Sequence, residues 1–181
     1  MSNKVIDCFC KIMIALLFSV NEFANERTVS ICEVIQHSEM YRDRVVIITG
    51  KYVHGRHGAT ITNEACGFRS RYPAFGSGAA ADAQYYDSSE RLPKEATRFL
   101  DQRSIREFDK AMAKVIMGSM SSEPNMAVTV VGVVRVADGY TIHESGVQGY
   151  TGTGYGFMGR YPVQVLILKV KSFQMSRTED H

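Results

Sequence analysis

The chain has 181 residues, of which 45% are hydrophobic and 22% are charged, a balance typical of a folded globular domain and not of a disordered chain. Its 21 Lys and Arg residues against 19 Asp and Glu residues leave a formal charge of +2. This small excess argues against a dedicated polyanion-binding protein, in which basic side chains clearly outnumber acidic ones.

The N-terminal segment has the pattern of an export signal. Lys4 and Lys11 come before an apolar run at residues 12–20, which has the length of a signal-peptide core and is shorter than a membrane span. We therefore predict a signal peptide or an uncleaved N-terminal anchor over residues 1–24, with the remainder periplasmic or secreted. Glu22 occupies a position where a signal-peptide cleavage site normally has a small residue, so the position of cleavage is not determined. The other interpretation is a buried N-terminal helix.

Export would determine the redox state of the cysteines that remain in the domain. Cys8 and Cys10 lie inside the N-terminal segment, which leaves Cys32 and Cys66 in the domain. An even pair in an oxidising compartment favours one disulfide. It would close a loop of about 34 residues and stabilise the fold by on the order of 3–4 kcal/mol. Two buried free thiols are the alternative.

Two helices are predicted from capping boxes, in which a serine hydroxyl accepts the amide of a glutamate three residues later. The first box, Ser30–Glu33, starts a short helix that ends near Tyr41, and the second, Ser104–Glu107, starts a longer one. A helical turn at 92–100 comes before the second helix. Residues 68–87 are polar and rich in glycine and alanine, and this composition predicts a long loop.

Five strands are predicted. Gly50 and Gly132 interrupt two β-branched runs, where a glycine often marks a bulge or a sharp bend. The strands are predicted at residues 45–53, 59–63, 128–136, 140–143 and 163–173. Their number predicts a mainly β fold with helices (α+β): a five-stranded OB-like barrel over residues 28–176, with a short N-terminal helix and a helix inserted before the fourth strand.

Two stretches carry a resemblance. S-I-C-E-V-I-Q-H-S-E-M-Y-R-D-R-V-V-I-I-T-G-K-Y, residues 30–52, resembles the opening of OB-fold-like domains in uncharacterised exported bacterial proteins. G-F-M-G-R-Y-P-V-Q-V-L-I-L-K-V, residues 156–170, is similar to the glycine–aromatic loop and last strand of the same group. The resemblance implies an OB-like fold and export, and it implies no activity for any residue.

The ligand-binding prediction rests on a glycine-rich segment at residues 149–161. It comes before a strand, whereas phosphate-binding glycine loops come before a helix, so we do not interpret it as a nucleotide site. Its aromatic side chains are expected to present flat surfaces to a ligand. The predicted ligand-binding residues are Tyr150, Tyr155, Phe157, Tyr161 and Arg56. In the alternative interpretation the loop packs its own aromatic rings over the open end of the barrel.

A basic group accompanies this segment in the sequence. Six basic residues against two acidic ones lie in the region from the first strand into the long loop, and on the same face as the tyrosines they would form a groove for an anionic chain. They are Arg42, Arg44, Lys51, Arg56, Arg69 and Arg71.

A metal site is the weakest candidate. His54 and His57 flank a glycine and an arginine, and with His143 they would give three imidazoles if the fold brought them together. A polar turn is the favoured interpretation, because zinc signatures carry fixed paired spacings. We find no nucleophilic constellation, and no motif predicts a cofactor.

The functional prediction follows from these observations. We expect a non-enzymatic extracytoplasmic OB-like binding module with an unidentified ligand or protein partner. The alternatives are an oligonucleotide-binding OB domain, which the nearly neutral charge does not favour, and a metal-dependent hydrolase. Contact with a membrane is expected only through the N-terminal segment, if it is not cleaved.

Overall fold

The structure is a computed structural model, and it describes residues 27–55, 58–63, 79–118, 125–140, 142–144, 150–156 and 159–175. The predicted signal segment lies outside these ranges. So do the predicted functional residues Arg56, His57, Cys66 and Phe157, and the predicted basic residues Arg69 and Arg71.

Eight strands, three α-helices and one 3₁₀ helix make up the described part of the chain. In chain order they are β1 (Thr28–Ser30), α1 (Ile31–Gln36), α2 (Ser38–Tyr41), β2 (Val45–Gly55), β3 (Gly58–Asn63), β4 (Ala79–Tyr85), the 3₁₀ helix (Lys94–Phe99), α3 (Gln102–Gly118), β5 (Asn125–Val136), β6 (Ile142–Glu144), β7 (Tyr150–Gly152) and β8 (Val163–Met175).

Five of these strands form a closed barrel. Neighbouring strands follow the order β2, β3, β4, β8 and β5, and β5 pairs back with β2. The pair β4–β8 is parallel, β1 is an extra parallel strand beside β2, and β6 and β7 form a separate two-stranded sheet. Helix α3 is inserted before β5, the fourth barrel strand. The predicted mainly β, OB-like α+β fold is therefore confirmed.

The barrel strands are strongly staggered. Register partners around the barrel are Arg135, Gln164, Asp82, Thr60, Val53 and Asn125. One circuit thus begins at Arg135 and returns to β5 at Asn125, ten residues away. Such a stagger requires the strands to tilt and coil. Gly132 lies at a register shift between β5 and β8, which confirms the bend predicted there.

One barrel strand contradicts its sequence-based prediction. Residues 68–87 were predicted to be a loop, yet β4 lies within them, and the strand predicted at residues 140–143 corresponds to β6, which is not part of the barrel. Alanine is depleted in strands, so the alanine-rich composition of this segment did not indicate β4. Ala81 and Ala83 are buried inside the barrel, and hydrogen bonding to strands on both sides overrides the local preference.

The two predicted capping boxes differ in outcome. The amide of Glu33 donates to Ser30 Oγ at 3.2 Å, so the first cap is confirmed. The second is wrong: α3 begins at Gln102, and Asp101 Oδ1 accepts the amide of Ser104 at 3.1 Å. The Ser104 hydroxyl instead accepts the amide of Val170 at 3.0 Å, which ties α3 to β8.

A second apolar cluster covers the outside of β5 and β8. Val133, Leu166 and Leu168 are buried there together with Ala96 of the 3₁₀ helix. Leu92, Phe99 and Leu100 pack against the cluster, and the 3₁₀ helix lies within the helical turn predicted at 92–100. The segment between β4 and α3 therefore covers this side of the barrel, while β3 and β4 keep a separate outer face.

Candidate ligand-binding face

The outer face of β3 and β4 carries mostly uncharged side chains and one acidic residue, Asp82. Thr60, Thr62 and Ala80 are half-buried and Gln84 is exposed. The residues between them in sequence face the barrel interior and are buried: Ala59, Ile61, Ala81 and Ala83. This alternation with a period of two is expected of strands with one face in a core. It leaves a polar strip on the outside, which we call the strand face; the described residues of β3 and β4 give it one acidic side chain and no basic one.

Two connections flank the strand face. The first is the turn between β2 and β3, and the second is the long connection between β5 and β8, which carries the predicted tyrosines. In OB barrels, the corresponding loops and the outer surface of the second and third strands are where oligonucleotides and oligosaccharides bind. Topology therefore places the glycine- and tyrosine-rich segment in a position typical of a ligand-binding loop.

Part of this connection folds back on itself and pairs with itself. We call it the tyrosine hairpin, and its described residues are 154–156 and 159–161. The amide of Tyr155 donates to the Tyr161 carbonyl at 2.7 Å, and the Tyr161 amide donates back to the Tyr155 carbonyl at 3.1 Å. The Gly154 amide donates to the carbonyl of Gly159 at 2.9 Å. These bonds fix the backbone of the hairpin locally.

Two glycines allow the hairpin to close. A Cβ at residue 154 would collide with the carbonyl oxygen of Tyr161 and lie 2.9 Å from Tyr140 Cδ2. Gly156 has φ +69°, a conformation that side chains other than glycine rarely adopt. A Cβ there would also lie 2.6 Å from Asp82 Oδ1. These two glycines therefore permit close packing within the hairpin and against β4.

The hairpin lies against an acidic side chain of β4. Asp82 points out of the barrel, yet it is only 4% exposed, and its register partner Gln164 is 5% exposed. Gln164 Nε2 donates to Asp82 Oδ2 at 2.8 Å. Burial raises the pKa of the Asp82 carboxyl, and the hydrogen bond from Gln164 opposes that shift.

The predicted ligand-binding tyrosines are partly brought together. Tyr155 and Tyr161 pair within the hairpin and are half-buried, and burial raises the pKa of Tyr155. Tyr161 Cδ2 lies 2.7 Å from the position of a Gly156 Cβ, so its ring packs on the loop's own backbone. The hydroxyl of Tyr140 donates to the Arg160 carbonyl. Tyr150 belongs to β7, and its side chain is not among those described.

Three members of the basic group lie in the described residues, Arg42, Arg44 and Lys51, and Lys51 is the register partner of Thr62 of the strand face. Arg42 binds the carboxylates of Glu39 at 2.7 Å and Asp138 at 2.9 Å, and it donates to the Val136 carbonyl at 2.8 Å. It therefore joins α2 to the end of β5. Arg44 is exposed beside it.

The metal-site prediction gains no support from the described residues. His54 is exposed at the end of β2. His143 belongs to β6, and the structure does not describe its side chain. Across the part of the chain that the structure describes, no three His, Cys, Asp or Glu side chains are grouped to hold a metal ion. Cys32 is half-buried on α1 and is not a free thiol.

Sequence analysis missed Asp82 and Gln164 as site residues. The signal was present in A-A-A-D-A-Q-Y, where small apolar residues alternate with polar ones across β4. Glycine and alanine around the segment indicated a loop instead. Without a predicted strand there, Asp82 could not be assigned to either face of a sheet.

In comparisons with known proteins, no family model, no curated protein and no solved structure matches the chain. Within the described ranges, none of the helices has the length and apolar character needed to cross a membrane.

Proposed function

We propose that the chain is a non-enzymatic, extracytoplasmic binding module that takes a neutral oligosaccharide on the strand face beside the tyrosine hairpin. The observation that carries the proposal is the position of the hairpin. It is held by its own hydrogen bonds next to β3 and β4, and OB barrels bind oligonucleotides and sugars at the equivalent loop and strands.

The charge of the strand face favours a sugar over a nucleic acid. Thr60, Thr62 and Gln84 offer hydroxyl and amide groups, which pair with sugar hydroxyls without a counter-charge. Binding to a polyanion depends on lysine and arginine contacts with phosphates. Among the described residues near this region, Arg42 and Arg135 are already paired with carboxylates, while Lys51 is the register partner of Thr62.

The sugar-binding proposal is tested with an immobilised panel of neutral oligosaccharides. We expect Gln84→Ala to weaken binding of the retained sugars about two- to tenfold, because one net hydrogen bond is worth roughly 0.5–1.5 kcal/mol. Lys114→Ala, an exposed position on α3, is the matched control and should bind as the wild type. Binding of a labelled oligothymidine that weakens steeply with salt, with no sugar retained, would establish the oligonucleotide-binding alternative instead.

Export is the second part of the proposal, and it is supported by the charged and apolar pattern of residues 1–24. A reporter enzyme that is active only outside the cytoplasm, fused after residue 27, should be active. The same fusion without residues 1–24 should be inactive. Retention of the complete fusion in the cytoplasm would refute export.

The disulfide between Cys32 and Cys66 belongs to the same proposal. It is supported by the state of Cys32, which is not a free thiol. Cys66 lies outside the described residues, and the pairing remains a prediction. An oxidising compartment is the condition under which such a bond persists, so the export experiment bears on it directly.

A further inference from the structure

We propose that an open pocket on the outer surface of β2, β5 and β8 binds a single neutral sugar ring. The pocket has a volume of about 300 Å³, at the lower end of the range for small-molecule sites. It lies on strands other than β3 and β4, so it is separate from the strand face. Binding there is independent of the proposed function, and its test needs no oligosaccharide.

The strand register places three hydroxyl groups in one row across the pocket. Thr49 of β2 pairs with Thr129 of β5, and Thr129 pairs with Ser172 of β8. Ile48 and Val128, their neighbours in sequence, are buried in the barrel core, so the row faces outward. Neighbouring strands lie about 5 Å apart, and the row therefore spans about 10 Å. One sugar ring with its hydroxyl groups can contact all three residues.

The polar groups of the pocket are available to a ligand. Thr49 Oγ1 donates to the Val29 carbonyl at 3.3 Å, and its lone pairs can still accept. Within the described part of the chain, the hydroxyls of Thr129 and Ser172 and the side-chain amide of Gln174 have no hydrogen-bond partner in the protein. A serine or threonine hydroxyl both donates and accepts. The row can therefore pair with ligand hydroxyls in either direction.

The lining of the pocket favours an uncharged ligand. None of the described lining residues carries a charge, and a carboxylate or phosphate placed there would lose water without gaining a cationic partner. Lys51 and Lys171 are close in the strands, but neither is among the described lining residues, and each already takes part in another interaction. Ala127, the register partner of Gln174, adds a methyl group that can contact the carbon atoms of a sugar.

A β-bulge lies beside the row of hydroxyls. Thr129 pairs with Ser172, but the next residue, Val130, pairs with Val170, so Lys171 has no register partner on β5. A bulge bends its strand and increases the local twist, and bulges often lie next to functional sites, where they redirect side chains. The bend accounts for a concave surface on the outside of a barrel, which is otherwise convex.

An NMR titration of the isotope-labelled full chain with D-glucose, D-galactose and N-acetyl-D-glucosamine tests the pocket. We expect at least one of these sugars to shift the amide signals of Thr129 and Ser172 with saturation, at a dissociation constant of about 1–10 mM, as for a ligand of this size. Absence of saturating shifts at these amides with all three sugars would overturn the proposal. Saturating shifts confined to Thr60 and Gln84 would also overturn it, while supporting the strand face.

Two variants then locate the bound sugar. Thr129→Val keeps the side-chain shape and removes one hydroxyl, so the dissociation constant should rise about two- to tenfold. Ser172→Leu fills the pocket from an exposed position and should abolish saturable binding. Thr28→Val is the matched control, because it removes an exposed strand hydroxyl that is not among the described lining residues, and it should bind as the wild type. Unchanged binding in both pocket variants, or an equal loss in Thr28→Val, would place the sugar elsewhere and overturn the pocket.

Discussion

Replacing Phe108 by alanine is expected to lower the free energy of unfolding by about 3–5 kcal/mol, the range for a fully buried phenylalanine. Its side chain is 0% exposed and extends from α3 into the barrel core. The ring meets Tyr52 edge-on at a centroid distance of 5.0 Å and Phe173 at 5.3 Å. Alanine would remove both contacts and leave a cavity that the surrounding strands can only partly fill.

Urea denaturation followed by far-ultraviolet circular dichroism measures this loss. Phe173→Ala is the matched control, because it removes the same ring pair from the other side. Phe173 is 36% exposed, so less apolar surface returns to water, and we expect a smaller loss than for Phe108→Ala. Equal losses from the two variants would mean that the shared ring contact, and not burial by α3, determines the stability.

The long strands were predictable because each carries its own signal. β2, β5 and β8 are rich in β-branched residues and are bounded by turns, and their predicted positions agree with the structure within a few residues. The inserted helix α3 was also predictable from its apolar spacing. Its first residue was not, since Ser104 has the sequence of a cap and is used instead to hold β8.

Sequence analysis missed the strand β4 and the buried Asp82 for the same reason. β4 is stabilised by pairing with strands that are distant in sequence, β3 and β8, and this pairing leaves almost no trace in a segment made largely of alanine. Asp82 becomes notable only through Gln164, 82 residues away, and through the hairpin that covers it. The predicted tyrosine segment was the right place to look. The close contacts at Gly154 and Gly156 could not be predicted, because they involve Tyr140 and Asp82, which are distant in sequence.

Gly154→Ala is expected to open the tyrosine hairpin. The new methyl group would collide with a backbone carbonyl, that of Tyr161, which cannot rotate away as a side chain could. Overpacking of this kind typically costs about 1–3 kcal/mol, while the smaller freedom of alanine in the unfolded chain returns only about 0.4–1 kcal/mol. The net effect destabilises the hairpin, so the amides of Tyr155 and Tyr161 should lose their protection from exchange.

Gly55→Ala is the control that distinguishes the collision at residue 154 from the general effect of replacing a glycine. A Cβ at residue 55 would lie 3.5 Å from the Gly58 carbonyl oxygen, an ordinary contact, and we expect stability to stay within about 0.5 kcal/mol of the wild type. In Gly154→Ala the Asp82 carboxyl is hydrated, so its pKa should return toward the ordinary value near 4. If the hairpin amides stay protected in Gly154→Ala while the pKa of Asp82 remains raised, a different part of the chain must cover the acid.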